Sequence, residues 1–98
     1  MIKPVVFRLA AQREFDQAIE WYEARWPGLG HDFLAEITHA VELIAESPAR
    51  YPIVHRDLRC IRVRRFPYSV FFREETKRLV VLAVFHARRA PVRWQERA

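Results

Sequence analysis

The sequence predicts an α+β fold in which a helical hairpin packs on an antiparallel sheet that ends in a three-stranded meander. Three observations predict it. A short β-branched run near the start gives way to apolar residues at helical spacing. The break Pro27-Gly28-Leu29-Gly30 separates two amphipathic stretches. Beyond Asp57 come three runs of strand character, the last of them apolar on both faces. At 98 residues the chain is expected to form one domain, spanning 1–98.

Val5-Val6-Phe7-Arg8-Leu9, opened by Pro4, reads as a short strand. Ala11, Phe15, Ala18, Ile19, Tyr22 and Trp26 then recur at helical spacing, and Arg13, Glu14, Asp16, Gln17, Glu20 and Glu23 mostly fill the other face. The proline–glycine break stops this helix. Phe33, Ile37, Ala40, Val41 and Ile44 repeat the pattern, so a second helix is expected from about His31 to Glu46, with His31 or Asp32 at its start and Ser47-Pro48 at its end. So short a link implies an antiparallel hairpin.

Pro48 to Asp57 reads as a loop. Strands are expected over Arg59 to Phe66, Tyr68 to Arg73 and Arg78 to His86, with Glu74-Glu75-Thr76-Lys77 as the turn between the last two. Alternation sets Ile61 and Val63 opposite Arg62 and Arg64, and Leu79, Val81, Ala83 and Phe85 opposite Val80, Leu82 and Val84. The helices then cover one face of the sheet. The other face, or its edge, holds an arginine group.

Composition narrows the function classes. Apolar residues make up 51% and charged residues 30%, so the chain carries enough apolar surface to fold. Seventeen Lys and Arg against twelve Asp and Glu leave +5, and lysine occurs only at Lys3 and Lys77. Arginine's planar fork pairs two-pronged with carboxylate or phosphate, which suits an acidic partner or nucleic acid. Cys60 is the only cysteine, so an internal disulfide or a cysteine-cluster metal site is excluded, and its strand setting suits a small buried hydrophobe. No run is long and apolar enough to cross a bilayer, and Met1 to Arg8 lacks a signal-peptide core, so no membrane association and a cytoplasmic location are expected.

Chemistry-bearing residues concentrate late in the chain, in Arg62, Arg64, Arg65, Arg73, Arg88, Arg89, Arg93 and Arg97. Arginine stems often cover apolar sheet while their heads stay in water. A row of such cations is also what a phosphate backbone or an acidic peptide needs. Phe66, Tyr68, Phe71 and Trp94 interleave with them, as stacking surfaces or as core; core is the better reading for Phe66 and Phe71. His86, at the end of the interior strand, either shuttles a proton or donates a ring hydrogen to a backbone carbonyl. His31, His39 and His55 have no carboxylate at metal-ligand spacing, and Gly28 and Gly30, the only glycines, form no phosphate-cradling loop. No metal and no cofactor are therefore expected, and no serine, cysteine or lysine sits as a nucleophile.

Three blocks occur in order: Glu20-Trp21-Tyr22-Glu23 through Pro27-Gly28-Leu29-Gly30 into Phe33-Leu34; Ser47-Pro48-Ala49-Arg50-Tyr51-Pro52; and Arg65-Phe66-Pro67-Tyr68-Ser69-Val70-Phe71-Phe72-Arg73 leading to Val84-Phe85-His86-Ala87-Arg88-Arg89. With the order of elements, they resemble the RelE/ParE toxin superfamily over nearly the whole chain. The ending Pro91-Val92-Arg93-Trp94 is similar to that of members called plasmid stabilisation proteins. The resemblance implies the toxin half of a type II toxin–antitoxin module, blocked by a cognate antitoxin and meeting operator DNA only through that complex.

The family divides by target. Ribonuclease members, which cleave mRNA in the ribosome, carry a basic residue early in the penultimate strand, where this chain has Tyr68 after Pro67. Several end the last strand in a histidine–tyrosine pair; His86 matches, but Ala87 replaces the tyrosine. The resemblance therefore favours the ParE-like branch, non-enzymatic and directed at DNA gyrase. The alternatives are a ribosome-dependent endoribonuclease, for which His86 and Arg73 are the catalytic candidates, and an inert or regulatory scaffold that acts only with its antitoxin. Arg62, Arg64, Arg65, Arg88, Arg89 and Trp94 are the residues expected to bind target or antitoxin.

Overall fold

β1 (Val5–Phe7) enters the sheet beside its last strand, β5 (Leu79–His86), and runs parallel to it. A parallel pair needs a long crossover, and everything between the two strands supplies it. The computed structural model describes residues 2–98; Met1, where the expected domain begins, lies outside the described residues. After β1 come α1 (Leu9–Arg25), α2 (Leu29–Glu46), a 3-10 turn at Pro48–Arg50, β2 (Ile53–His55), β3 (Leu58–Arg62), β4 (Tyr68–Glu74), β5 and a short α3 (Val92–Gln95). The strand order is β1-β5-β4-β3-β2, antiparallel from β2 through β5. The predicted α+β hairpin-on-sheet architecture and its meander are present, and β1 makes the sheet mixed.

Boundaries moved for physical reasons. Leu9 opens α1 rather than closing β1. Trp26, placed on the apolar face by its spacing, sits where the chain leaves the helix and is 70% exposed. α2 begins at Leu29, before the predicted His31 or Asp32, because Gly28 takes φ +90 at the cap and turns the chain without a Cβ penalty. A glycine offers no capping side chain, so the Glu23 carboxylate does that work: it accepts from the Gly28 N–H at 2.9 Å and the Gly30 N–H at 3.0 Å. Gly30 lies inside α2, where a Cβ would stand 2.6 Å from the Ile19 carbonyl oxygen. Its bareness is what lets α1 and α2 approach.

The Pro48–Asp57 segment is not all loop. Ile53 to His55 form the edge strand β2, three residues long and irregularly paired, which hides it from a periodicity reading. β3 ends at Arg62 rather than Phe66, and Arg65 turns the chain at φ +69.

Two apolar layers sandwich the sheet. On the helix side, Phe33, Ile37 and Ile44 pack on Ile61, Val70, Phe72, Leu79, Val81 and Val84. The opposite layer joins Leu58, Phe71, Val80, Leu82, Ala83 and Phe85 to Trp94. The predicted alternation along β5 fails at Leu82. Phe71 pairs with Ala83 and Phe72 with Val81, so Leu82 is an extra residue and the strand bulges there. Leu82 and Ala83 consequently share the side away from the helices.

Candidate functional site

Past the end of β1, α1 and the outer ends of β4 and β5 frame a cleft of about 610 Å³. α1 contributes Glu14, Gln17, Trp21 and Tyr22; β4 contributes Tyr68 after Pro67; β5 and the following loop contribute Val84, His86, Arg88 and Arg89. An aromatic cluster fixes its floor. Phe33 lies 4.9 Å from Tyr68 and 5.2 Å from Tyr22, ring centre to ring centre, and Phe66 closes on Tyr22 at 4.9 Å. Such edge and offset contacts hold each ring in one orientation.

Sheet register brings Tyr68 opposite His86, with ring centres 5.2 Å apart and nearly perpendicular. His86 Nδ1 accepts a 3.0 Å hydrogen bond from the Arg88 backbone N–H. This reverses the polarity expected from sequence, because the ring accepts from backbone instead of donating to it. In neutral imidazole the proton then sits on Nε2. Burial pushes the Tyr68 phenol above its ordinary value; Tyr22 and Glu14 add to the rise and Arg89 opposes it. Burial raises Tyr22 as well. Both phenols therefore act as donors near neutral pH.

Sequence spacing places Glu14 on the polar face of the first helix, opposite the apolar residues of that helix. Its side chain is only 11% exposed and forms the hub of this end of the molecule. Arg97 grips it with both terminal nitrogens, each at 2.9 Å, and Arg89 adds a bond at 2.8 Å. The Val84 N–H, left without a strand partner beyond β1, donates to Glu14 Oε1 at 3.1 Å, and Arg97 also donates to the Leu82 carbonyl at 3.0 Å. Beyond the last pair of β1 with β5, side chains thus satisfy backbone groups of β5. Nothing in local sequence signals this.

The other candidates separate. Arg62, Arg64 and Arg88 are exposed, with no ion-pair partner among the described residues. Arg65 pairs with Asp32 at 3.4 Å and Glu36 at 3.9 Å. Arg89 is committed to Glu14, and its guanidinium lies 4.3 Å from the Phe85 ring centre. Trp94, expected at a binding surface, is instead a core residue: it is 8% exposed and stacked on Phe71 at 3.9 Å. Arg73 pairs with Asp57 at 2.8 Å. It also lies at the far end of β4, five residue steps from Tyr68 and so roughly 17 Å from the His86 end. His86 and Arg73 do not converge.

Cys60 is partly buried; burial raises its thiol pKa, offset by a hydrogen bond with Ser69 and by the Arg62 charge. Among the described residues no group of His, Cys, Asp and Glu is placed to hold a metal ion, and no helix is long and apolar enough to cross a membrane.

A family model described as the ParE toxin of the type II toxin–antitoxin system parDE matches residues 5–91. Among solved structures, a chain of the chromosomal ParDE TA system from P. aeruginosa superposes with a TM-score of 0.76 at 17% identity, covering 87% of this chain and 96% of that one. A chain of the RelBE2 toxin–antitoxin complex from Mycobacterium tuberculosis gives a TM-score of 0.61 at 20% identity, covering 88% and 99%. At these identities the structural likeness speaks for the fold. No curated protein matches the chain.

Proposed function

The chain belongs to the ParE toxin family of type II toxin–antitoxin systems, and on that premise we propose that it arrests growth through a non-covalent contact with DNA gyrase and is neutralised by a cognate antitoxin. The observation that carries the non-enzymatic reading is the separation of His86 from Arg73. Cleaving RNA at a 2′-hydroxyl asks for a base, an acid and a free cation around one phosphate. Here Arg73 is tied to Asp57 at the opposite end of β4 and Arg89 is neutralised by Glu14, which leaves Arg88, among the described residues, as the unpaired cation lining the cleft. An antitoxin partner is supported by the family, and both solved relatives come from toxin–antitoxin systems. The exposed guanidinium groups of Arg62, Arg64 and Arg88 suit its acidic residues. Trp21 and Trp26, 53% and 70% exposed at one end of the helical hairpin, suit its apolar ones.

Two assays test this. Induced alone, the chain should arrest growth, and co-induction of the adjacent gene should relieve the arrest. Purified protein should block gyrase supercoiling or accumulate its cleavage complex; unchanged supercoiling at saturating protein would overturn the gyrase assignment. The cleft that brings Tyr68, His86 and Arg88 together favours the ribonuclease as second reading. It predicts that folded His86→Ala protein loses toxicity, whereas the gyrase reading predicts that toxicity persists.

A further inference from the structure

The cleft at the end of β5 contains more hydrogen-bond donors than the protein uses. The Tyr22 and Tyr68 hydroxyls make no hydrogen bond among the described residues, although the rings sit 6.2 Å apart on one wall. His86 spends Nδ1 on the Arg88 N–H, which leaves Nε2 as a donor. The Arg88 guanidinium is exposed and has no ion-pair partner among the described residues. Against these donors stands a single carboxylate, and it is saturated. Glu14 Oε1 takes Val84 N–H and Arg97, and Oε2 takes Arg89 and Arg97. Among the described residues Glu14 is the one carboxylate lining the cleft, against the two arginines Arg88 and Arg89 that line it, and Arg97 reaches Glu14 from outside that lining.

A pocket so provided takes an acceptor-rich anion. A phosphodiester chain wants a row of free cations, but Arg89 and Arg97 are already held by Glu14. That leaves one free planar fork, which matches a carboxylate. Trp21, half exposed at the rim, adds an apolar wall for whatever adjoins that carboxylate.

We propose that this cleft receives an acidic side chain of the antitoxin, bound by Arg88, Tyr68 and His86, with a neighbouring apolar residue of the same segment against Trp21. The proposal rests on the toxin–antitoxin reading above and names the place where that partner is gripped. Loss of any one of these three donors leaves a desolvated carboxylate short of a partner, so the effect falls mainly on dissociation.

The test uses the full chain and the protein encoded by the adjacent gene, with binding followed by surface plasmon resonance. Arg88→Gln and Tyr68→Phe should each weaken the complex about ten-fold through a faster off-rate, while circular dichroism and thermal midpoint stay close to those of the parent. A scan of antitoxin Asp and Glu to Asn and Gln should find one position whose effect disappears in the Arg88→Gln background. If the parent chain does not bind that protein at all, the toxin–antitoxin reading fails. Tight binding that neither cleft variant weakens overturns the cleft assignment alone. Retention of a short single-stranded RNA that both variants abolish, with antitoxin affinity unchanged, makes phosphate the occupant and overturns it too.

Discussion

Single residues set the chemistry of this molecule through what their neighbours leave them free to do. Tyr68 shows it best. Packed against Phe33 at 4.9 Å and His86 at 5.2 Å, its phenol is desolvated, and burial is the main cause of its raised pKa. The consequence for stability has a definite sign. Below about pH 10, the ordinary tyrosine value, the phenol is neutral in both folded and unfolded chains and stability does not depend on it. Above that value the unfolded chain ionises first, so stability falls as pH rises towards the folded pKa. Tyr22 contributes in the same direction. Cys60, raised mainly by burial, contributes likewise from its own lower starting value. In a Cys60→Ala background, Tyr68→Phe should therefore make the alkaline decline in urea-unfolding free energy shallower. An unchanged slope would show that desolvation of this phenol costs the fold nothing.

At the scale of elements, the hairpin between α1 and α2 depends on the absence of a side chain at Gly30. A Cβ there would stand 2.6 Å from the Ile19 carbonyl oxygen and 2.9 Å from Glu23 Cβ, and both are rigid neighbours. Gly30→Ala should destabilise the protein by about 2–3 kcal/mol, as an overpacked site does, despite alanine's better helix propensity. The same change at an open helical position would stabilise. Chemical denaturation checks this, and a neutral result would mean that the helices separate at little cost. Gly30 also shows what sequence could and could not tell. The two helices were legible because their apolar residues recur with a period that only a helix satisfies, and a proline–glycine break separates them. In sequence Gly30 belongs to the break, because its reason for being glycine lies eleven residues away, on α1. β2 was missed for a related cause: three residues after Pro52 are too few to show alternation, and their pairing with β3 is irregular. In the candidate cleft, His86 and Arg88 were legible as polar groups released from a buried strand. Glu14 was not, because its partners Val84, Arg89 and Arg97 lie 70, 75 and 83 residues further along the chain, beyond the reach of any local pattern.

For the whole molecule, the decisive feature is that the sheet is apolar on both faces while the helical hairpin covers only one. The second face is closed by the end of the chain. Trp94 lies on Phe71 at 3.9 Å, and Arg97 reaches back to Glu14 on the first helix and to the Leu82 carbonyl. The C-terminal segment thus ties the last residues to α1 and to the bulged strand at once. The ParE family match ends at residue 91, so Trp94 and Arg97 fall outside the matched region. What they cover is nevertheless core, since Leu58, Val80, Leu82, Ala83 and Phe85 are buried in the same cluster. Removing the indole leaves a cavity at the edge of that cluster and wets Phe71. Trp94→Ala should therefore cost about 3 kcal/mol, at the lower end of buried tryptophan truncations because the ring sits at the margin of its cluster. It should also increase binding of a hydrophobic dye to the folded protein. Trp94→Phe, which keeps a stacked ring, should recover most of the loss. If Trp94→Ala leaves both stability and dye binding unchanged, the tail rests on the sheet without holding it, and the second apolar face is closed by something other than this chain.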